Sequence, residues 1–241
     1  TLKLVAGEIH RIHPKYDLYA DGMPRAAMME GLGAGFEEES FFEYHLYTLQ
    51  RPATLLNNQQ KQISLLEGEG ISVNKLLVFN PVTSYHYSGD TMEAKIEVRL
   101  QFMNSEANGL GIPLPKGIIR VYKKDSSGAL QFIGEDMISH TPKNERIEIY
   151  MGEAFDIVGE RIVLNRRQIS QTVWEYDLKV IIRNHKEEDI RVNYWDKMWG
   201  DWEITTSTME YIKKDASTAE FIIPVRKDGE TELTYTIRRQ W

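Results

Sequence analysis

Glu135, Asp136 and His140 stand together in the stretch Gly134-Glu135-Asp136-Met137-Ile138-Ser139-His140. Two carboxyl groups and an imidazole are the groups of general acid–base chemistry, provided they reach one substrate. A hydrolase built on Glu135, Asp136 and His140 is therefore one reading. The preferred reading is plainer: the acids are polar residues at a strand end, and His140-Thr141-Pro142 opens a turn. A second candidate is the run Tyr194-Trp195-Asp196-Lys197-Met198-Trp199-Gly200-Asp201-Trp202. Aromatic faces flanked by acids suit sugars and other flat ligands. Tyr194, Trp195, Asp196, Trp199 and Asp201 are accordingly the candidate ligand-binding residues. Trp202 begins the alternating segment Trp202-Glu203-Ile204 and is expected in the core. Trp199, beside Gly200, is expected to be the exposed ring.

Two glycine-rich stretches invite a phosphate-binding reading and fail it. Residues 104–117 read NSEANGLGIPLPKG. A Walker loop needs Gly-Lys followed by Ser or Thr, so that N–H groups wrap the phosphates and a hydroxyl holds magnesium. Here the order is Lys116-Gly117, Pro113 and Pro115 remove two N–H donors, and a strand follows instead of a helix. Gly31-Leu32-Gly33-Ala34-Gly35 has no apolar strand before it and an acidic and polar run, Glu37 to Ser40, after it, which fits a linker better than a dinucleotide fingerprint. His10 and His13 lie three apart with no further ligand at metal-site spacing, and His45 and His86 are isolated, so neither a metal nor a cofactor is expected. The chain has no cysteine, which removes disulfides, thiolate metal sites and cysteine nucleophiles.

Composition narrows the partners. The formal net charge is −7, the wrong sign for a phosphate-binding face, so nucleic acid is not expected. No apolar run reaches the roughly 18–20 residues of a membrane-spanning helix. With 41% hydrophobic and 27% charged residues, the chain can bury a core and keep a charged surface.

The elements that would position these residues are strands. Phe42, Tyr44 and Leu46 alternate with polar neighbours; so do Ile63 and Leu65, then Val73, Leu77 and Phe79. Ile118–Tyr122, Ile147–Met151, Ile162–Leu164 and Leu233–Ile237 continue the pattern. No segment carries a capped run of 3.6-residue periodicity. An internal echo organises the strands. Ile96, Val98, Leu100 and Phe102 alternate up to Asn104, and Tyr176, Leu178, Val180 and Ile182 alternate up to Asn184. Each asparagine opens a polar turn, an outgoing strand with a tyrosine follows, and a later strand comes after a Lys-rich turn, Ile147–Met151 and Phe221–Val225. The expected fold is all-β, with tandem antiparallel immunoglobulin-like β-sandwich units. The expected divisions are a β segment over 1–19 from an upstream region, a flexible linker over 20–40, a first sandwich unit over 41–160 and a second over 161–241.

Several motifs, in order, resemble one family: YHLYTL (44–49), NGLGIPLPKG with IIRVYKKD (108–125), FIGED (132–136), HTPKNE (140–145), GEAFDIVGE (152–160) and WEI (202–204). Together they resemble a bacterial family of unknown function, the C-terminal region of mucoidy-inhibitor-A-like proteins, over most of residues 36–241. The resemblance implies an all-β region preceded in the full-length protein by a β region and a coiled coil. It also implies an extracytoplasmic setting: periplasmic, cell-surface or secreted. It carries over no catalytic residue. The expected function is a non-enzymatic binding or structural module of the envelope, with carbohydrate or an envelope protein as partner. The alternative is the hydrolase near 135–140. A third reading is an oligomer formed through an exposed edge such as Ile118–Lys123.

Overall fold

The computed structural model of the chain describes residues 2–7, 36–54, 56–81 and 91–240. His10, His13, His86, the Gly31–Gly35 run and residues 20–35 of the expected linker lie outside the described residues. Residues 36–40, also assigned to the linker, belong to a strand instead. The described chain forms two compact units. One draws on Thr1–Ser72, Phe102–Ile119 and Met137–Ile147; the other on Val73–Gln101, Arg120–Asp136 and Glu148–Trp241.

The first unit holds a three-stranded antiparallel sheet of β1 (Lys3–Ala6), β2 (Phe36–Phe41) and β3 (Tyr44–Leu49), ordered β1-β3-β2. Phe42 sits at φ 60° in the turn between β2 and β3, with its ring exposed. The strand expected from Phe42 onward thus begins at Tyr44, as the second strand of a hairpin whose buried residues are Leu46, Tyr47 and Leu49. The strand expected around Ile63 and Leu65 is not formed; residues 50–73 hold none among those described. The polar run Asn57–Gln62 and the glycines at 68 and 70 interrupt the alternation a ladder requires.

The second unit is dominated by one sheet. Its strands are β4 (Asn74–Phe79), β5 (Thr91–Met103), β8 (Arg146–Gln168), β9 (Val173–Asn184), β10 (Ile190–Lys197), β11 (Asp201–Ser207), β12 (Tyr211–Asp215), β13 (Thr218–Val225) and β14 (Gly229–Gln240). They are ordered β11-β14-β9-β8-β5-β4-β10-β13-β12. A separate two-stranded sheet pairs β6 (Gly117–Lys124) with β7 (Leu130–Ile138). All-antiparallel pairing, expected from the short strands, does not hold throughout: β4 lies parallel to β10, with Asn193 opposite Val78 and Tyr194 opposite Phe79. Parallel partners must be far apart in sequence, and here more than a hundred residues separate them. Residues 41–160 and 161–241 both contribute strands to this sheet, and the position between Glu160 and Arg161 lies inside β8. One mixed nine-stranded sheet therefore stands where two separate immunoglobulin-like sandwiches were expected.

The sheet folds back so that β9 and β14 face β10 and β13, giving a sandwich-like core. Period-two alternation decides which side chains enter it: Phe221, Ile223 and Val225 from β13, Leu233, Tyr235 and Ile237 from β14, and Val192 and Tyr194 from β10. Phe221 and Tyr235 lie 5.0 Å apart across the layers, and Tyr194 stacks on Phe221 at 5.8 Å. Such ring pairs add about 0.5–1.5 kcal/mol each beyond the area they bury. Gly159 leaves room for Phe79, since a Cβ there would come within 2.5 Å of that ring.

The internal echo has a structural cause. Asn104 and Asn184 are both fully buried at strand ends. The Asn104 side-chain amide donates to Ile112 O at 2.8 Å and Pro142 O at 2.9 Å, and its Oδ1 accepts from Gly111 N at 3.1 Å. The Asn184 amide donates to Glu188 O at 2.8 Å and Arg226 O at 2.9 Å, and its Oδ1 accepts from Lys186 N at 3.1 Å. In both corners the second carbonyl lies two residues before a left-handed residue, Asn144 (φ 64°) or Asp228 (φ 45°). The strand after each such turn is β8 in the first copy and β14 in the second. Phe221–Val225, matched above to Ile147–Met151, instead precedes its turn and is the counterpart of β7. Gly111, at φ 88°, has no room for a Cβ, which would lie 2.5 Å from the Glu106 side chain. The longer first-copy loop also clips the irregular chain before β4: Asn108 Oδ1 accepts from Ser72 N at 2.9 Å, and Tyr47 donates its hydroxyl to Pro113 O at 2.7 Å.

Candidate functional site

The aromatic run is built into the fold. Tyr194 and Asp196 are completely buried, and Trp195 and Trp202 nearly so. Each tryptophan of the run has a cation of this chain over its ring. Arg99 lies 5.2 Å and Lys214 4.0 Å from the Trp195 ring centre, Lys213 lies 4.4 Å from that of Trp202, and Arg239 lies 6.0 Å from that of Trp199. The indole N–H groups of Trp195 and Trp202 donate to Glu220 Oε1 and Ala216 O. A sugar would have to displace these cations to stack. Trp202 is core, as its alternation predicts; Trp199 is half-buried, and Asp201 is exposed.

Tyr194 and Asp196 belong to a closed polar ring that joins the layers. Arg161, on β8, donates from Nε to the Tyr194 hydroxyl at 3.0 Å. That oxygen lies 2.8 Å from the Tyr235 hydroxyl, which donates to Asp196 Oδ2 at 2.7 Å. Asp196 Oδ1 lies 3.5 Å from Arg161 Nε, an ion-pair distance with both side chains wholly buried. Type alone hides this arrangement, because arginine and aspartate read as surface residues. Parity reveals it: Arg161 shares its strand face with Ile157, Gly159 and Val163, and Asp196 shares its face with Tyr194 and Met198.

Burial first, and then the Asp196 charge, push the Tyr235 phenol well above its ordinary 10.0. Burial first and the Glu38 carboxylate second push Tyr47 up to about 12. Both phenols stay protonated in the native state while they ionise near pH 10 in the unfolded chain. The native state then binds more protons, so stability is intact below about pH 10 and falls as pH rises beyond it. The urea midpoint is expected to hold from about pH 8 to 9.5 and drop by pH 11, with a smaller drop in Tyr235→Phe. A midpoint flat to pH 11 contradicts this assignment.

The two acids of the acid–histidine group are not brought together. Glu135 and Asp136 are consecutive on β7 and so point to opposite faces of the strand. Glu135 pairs with Arg120 at 2.9 Å, and Asp136 Oδ2 accepts from Tyr150 N at 2.7 Å. His140 accepts from Lys116 N at Nδ1, 3.2 Å away. It lines a small cleft of about 240 Å³ with His45, Tyr47, Pro113 and Pro142. His45 there is tied to Glu38 at 2.7 Å. Among the described residues no group of three His, Cys, Asp or Glu could hold a metal ion.

One concavity among the described residues is one that residue types did not announce. A groove of about 930 Å³ in the second unit runs along β10, the end of β13 and the start of β14. Buried Leu77, Ile190 and Val225 form its floor. Its rim carries the cations Lys75, Arg191 and Arg226 and the carboxylates Glu188, Asp189 and Glu230, and no aromatic side chain lines it. Asp189 Oδ1 accepts from Lys227 N at 2.8 Å, which holds the rim turn in place. An apolar floor under charges of both signs can seat an extended peptide, with its backbone on the floor and its side chains paired at the rim.

No family model matches the chain, and no curated protein matches it. No helix among the described residues is long and apolar enough to cross a membrane.

Proposed function

We propose that the protein is a non-enzymatic binding module that holds a segment of another protein in the groove between Lys75, Arg191 and Arg226. The observation that carries this reading is the lining: an apolar floor, three cations, three carboxylates and no aromatic platform. Mixed charge suits a peptide better than a uniformly anionic ligand, and the cations over the tryptophan rings weigh against sugar stacking. The reading takes from the resemblance described above an envelope or secreted setting for such a module, behind an upstream coiled coil.

Random-peptide panning on the immobilised chain is expected to select binders. Their affinity falls at least about tenfold in Arg191→Glu with Arg226→Glu, because reversing two rim charges replaces attraction with repulsion. A glycan array is expected to return nothing. Trp199→Ala is expected to lower Tm by a few degrees, since the ring is half-buried against Arg239. A glycan bound by the wild type and lost in Trp199→Ala, at unchanged Tm, overturns the reading in favour of a sugar site.

A further inference from the structure

The two copies of the asparagine-corner repeat differ in how their outgoing strands are completed. After Asn184, β10 leaves, and β13 pairs with it antiparallel over eight residue pairs, from Ile190 opposite Val225 to Lys197 opposite Thr218. After Asn104, β6 leaves and pairs with β7. In the second copy both outer edges carry a further strand: β4 lies beside β10, and β12 beside β13. In the first copy β6 has β7 as its single strand neighbour among the described residues. Its apolar side chains are correspondingly open: Ile118 is 53% and Tyr122 51% exposed, and on β7 Phe132 is 54% exposed. An unpaired edge next to exposed apolar side chains is a template for another strand.

The charge order of β6 says which strand fits. Its sequence, Gly117-Ile118-Ile119-Arg120-Val121-Tyr122-Lys123-Lys124, is apolar at one end and cationic at the other. A parallel in-register pairing with its own copy would set Arg120, Lys123 and Lys124 against themselves, and like charges directly opposite are destabilising. An antiparallel pairing centred on Val121 sets Lys123 opposite Ile119, Lys124 opposite Ile118, and Tyr122 opposite Arg120 of the second copy. A guanidinium beside a phenol ring is an attractive contact, and the two-fold axis makes it twice. We propose that β6 pairs antiparallel with β6 of a second copy of this chain, joining two β6–β7 hairpins into one four-stranded sheet. The pairing does for β6 what β4 does for β10. It is independent of the groove.

The absence of cysteine makes the test direct. Single substitutions at Gly117, Val121 and Lys124 to Cys are oxidised in the otherwise unaltered chain and read on non-reducing gels. Val121→Cys is expected to cross-link efficiently, since antiparallel partners lie about 5 Å apart at Cα. Gly117→Cys and Lys124→Cys are expected not to, being about 20 Å or more from their own copies at about 3.3 Å per residue. Sedimentation of the unsubstituted chain is expected to show a concentration-dependent dimer. Tyr122→Lys, which puts Lys opposite Arg120 twice, is expected to weaken it about tenfold or more. A chain that stays monomeric at about 100 μM, or cross-linking at both ends of β6, overturns the proposal; the peptide-binding experiment on the groove reads neither result.

Discussion

Asp196→Ala is expected to destabilise the protein by about 3–5 kcal/mol. Asp196 and Arg161 are both wholly buried. Removing the carboxylate takes from the buried Arg161 guanidinium the negative charge that lies 3.5 Å from its Nε. It also strips Tyr235 of its acceptor, 2.7 Å away, in a ring that closes through Tyr194. Asp196→Asn keeps an oxygen for Tyr235 but not the charge, so it is expected to fall between wild type and alanine. The informative comparison is the pair Arg161→Met with Asp196→Leu. A buried ion pair is worth little against apolar residues of similar volume, so the double variant is expected to recover much of the loss. Urea unfolding measures all three. If Asp196→Ala costs less than about 1 kcal/mol, the pair is not the fixed element described here.

Alternation made much of the fold legible, and the reasons it stopped short are physical. Period two identifies strands because a half-buried ladder must send every second side chain inward. It located β6, β10, β13 and β14 and predicted that Trp202 is core. It could not say which distant strands pair, and the parallel neighbours β4 and β10 leave no local mark in either segment. Nor did it place turns within continuous alternation: Phe42 reads as a strand residue and is instead a left-handed turn position. For the candidate site the difficulty was residue type. Trp195 and Trp199 look like a stacking platform until Arg99, Lys214 and Arg239 are found against their rings, and those cations lie far away in sequence. Asp136 and Glu135 are adjacent, and adjacency on a strand separates side chains. The groove escaped notice because its floor is made of ordinary core residues, and its rim charges come from segments more than a hundred residues apart.

Asn184→Asp is expected to be at least as damaging as Asn184→Ala, and the order of the two distinguishes a corner held by donated hydrogen bonds from one held by shape. In the wild type the buried amide donates to Glu188 O and Arg226 O and accepts from Lys186 N. Alanine leaves two carbonyls and one N–H without the side-chain partner they have in this part-buried corner. At about 1–3 kcal/mol for each group left unsatisfied, the total is expected near or above 3 kcal/mol. Aspartate preserves the shape and the accepted bond, but it turns both donated bonds into contacts between a carboxylate and carbonyl oxygens, which repel. Asn104 meets the same three demands, from Ile112 O, Pro142 O and Gly111 N, so the same order is expected there. Agreement between the two corners, read as urea midpoints of the four single variants, follows if the recurring asparagine is the organising residue of each repeat. Tolerance of aspartate at either position, within about 1 kcal/mol of wild type, would mean that the amide is not donating there. The alternating strand ending in asparagine would then be a coincidence of sequence, and with it would go the equivalence of β6 to β10 on which the proposed strand pairing rests.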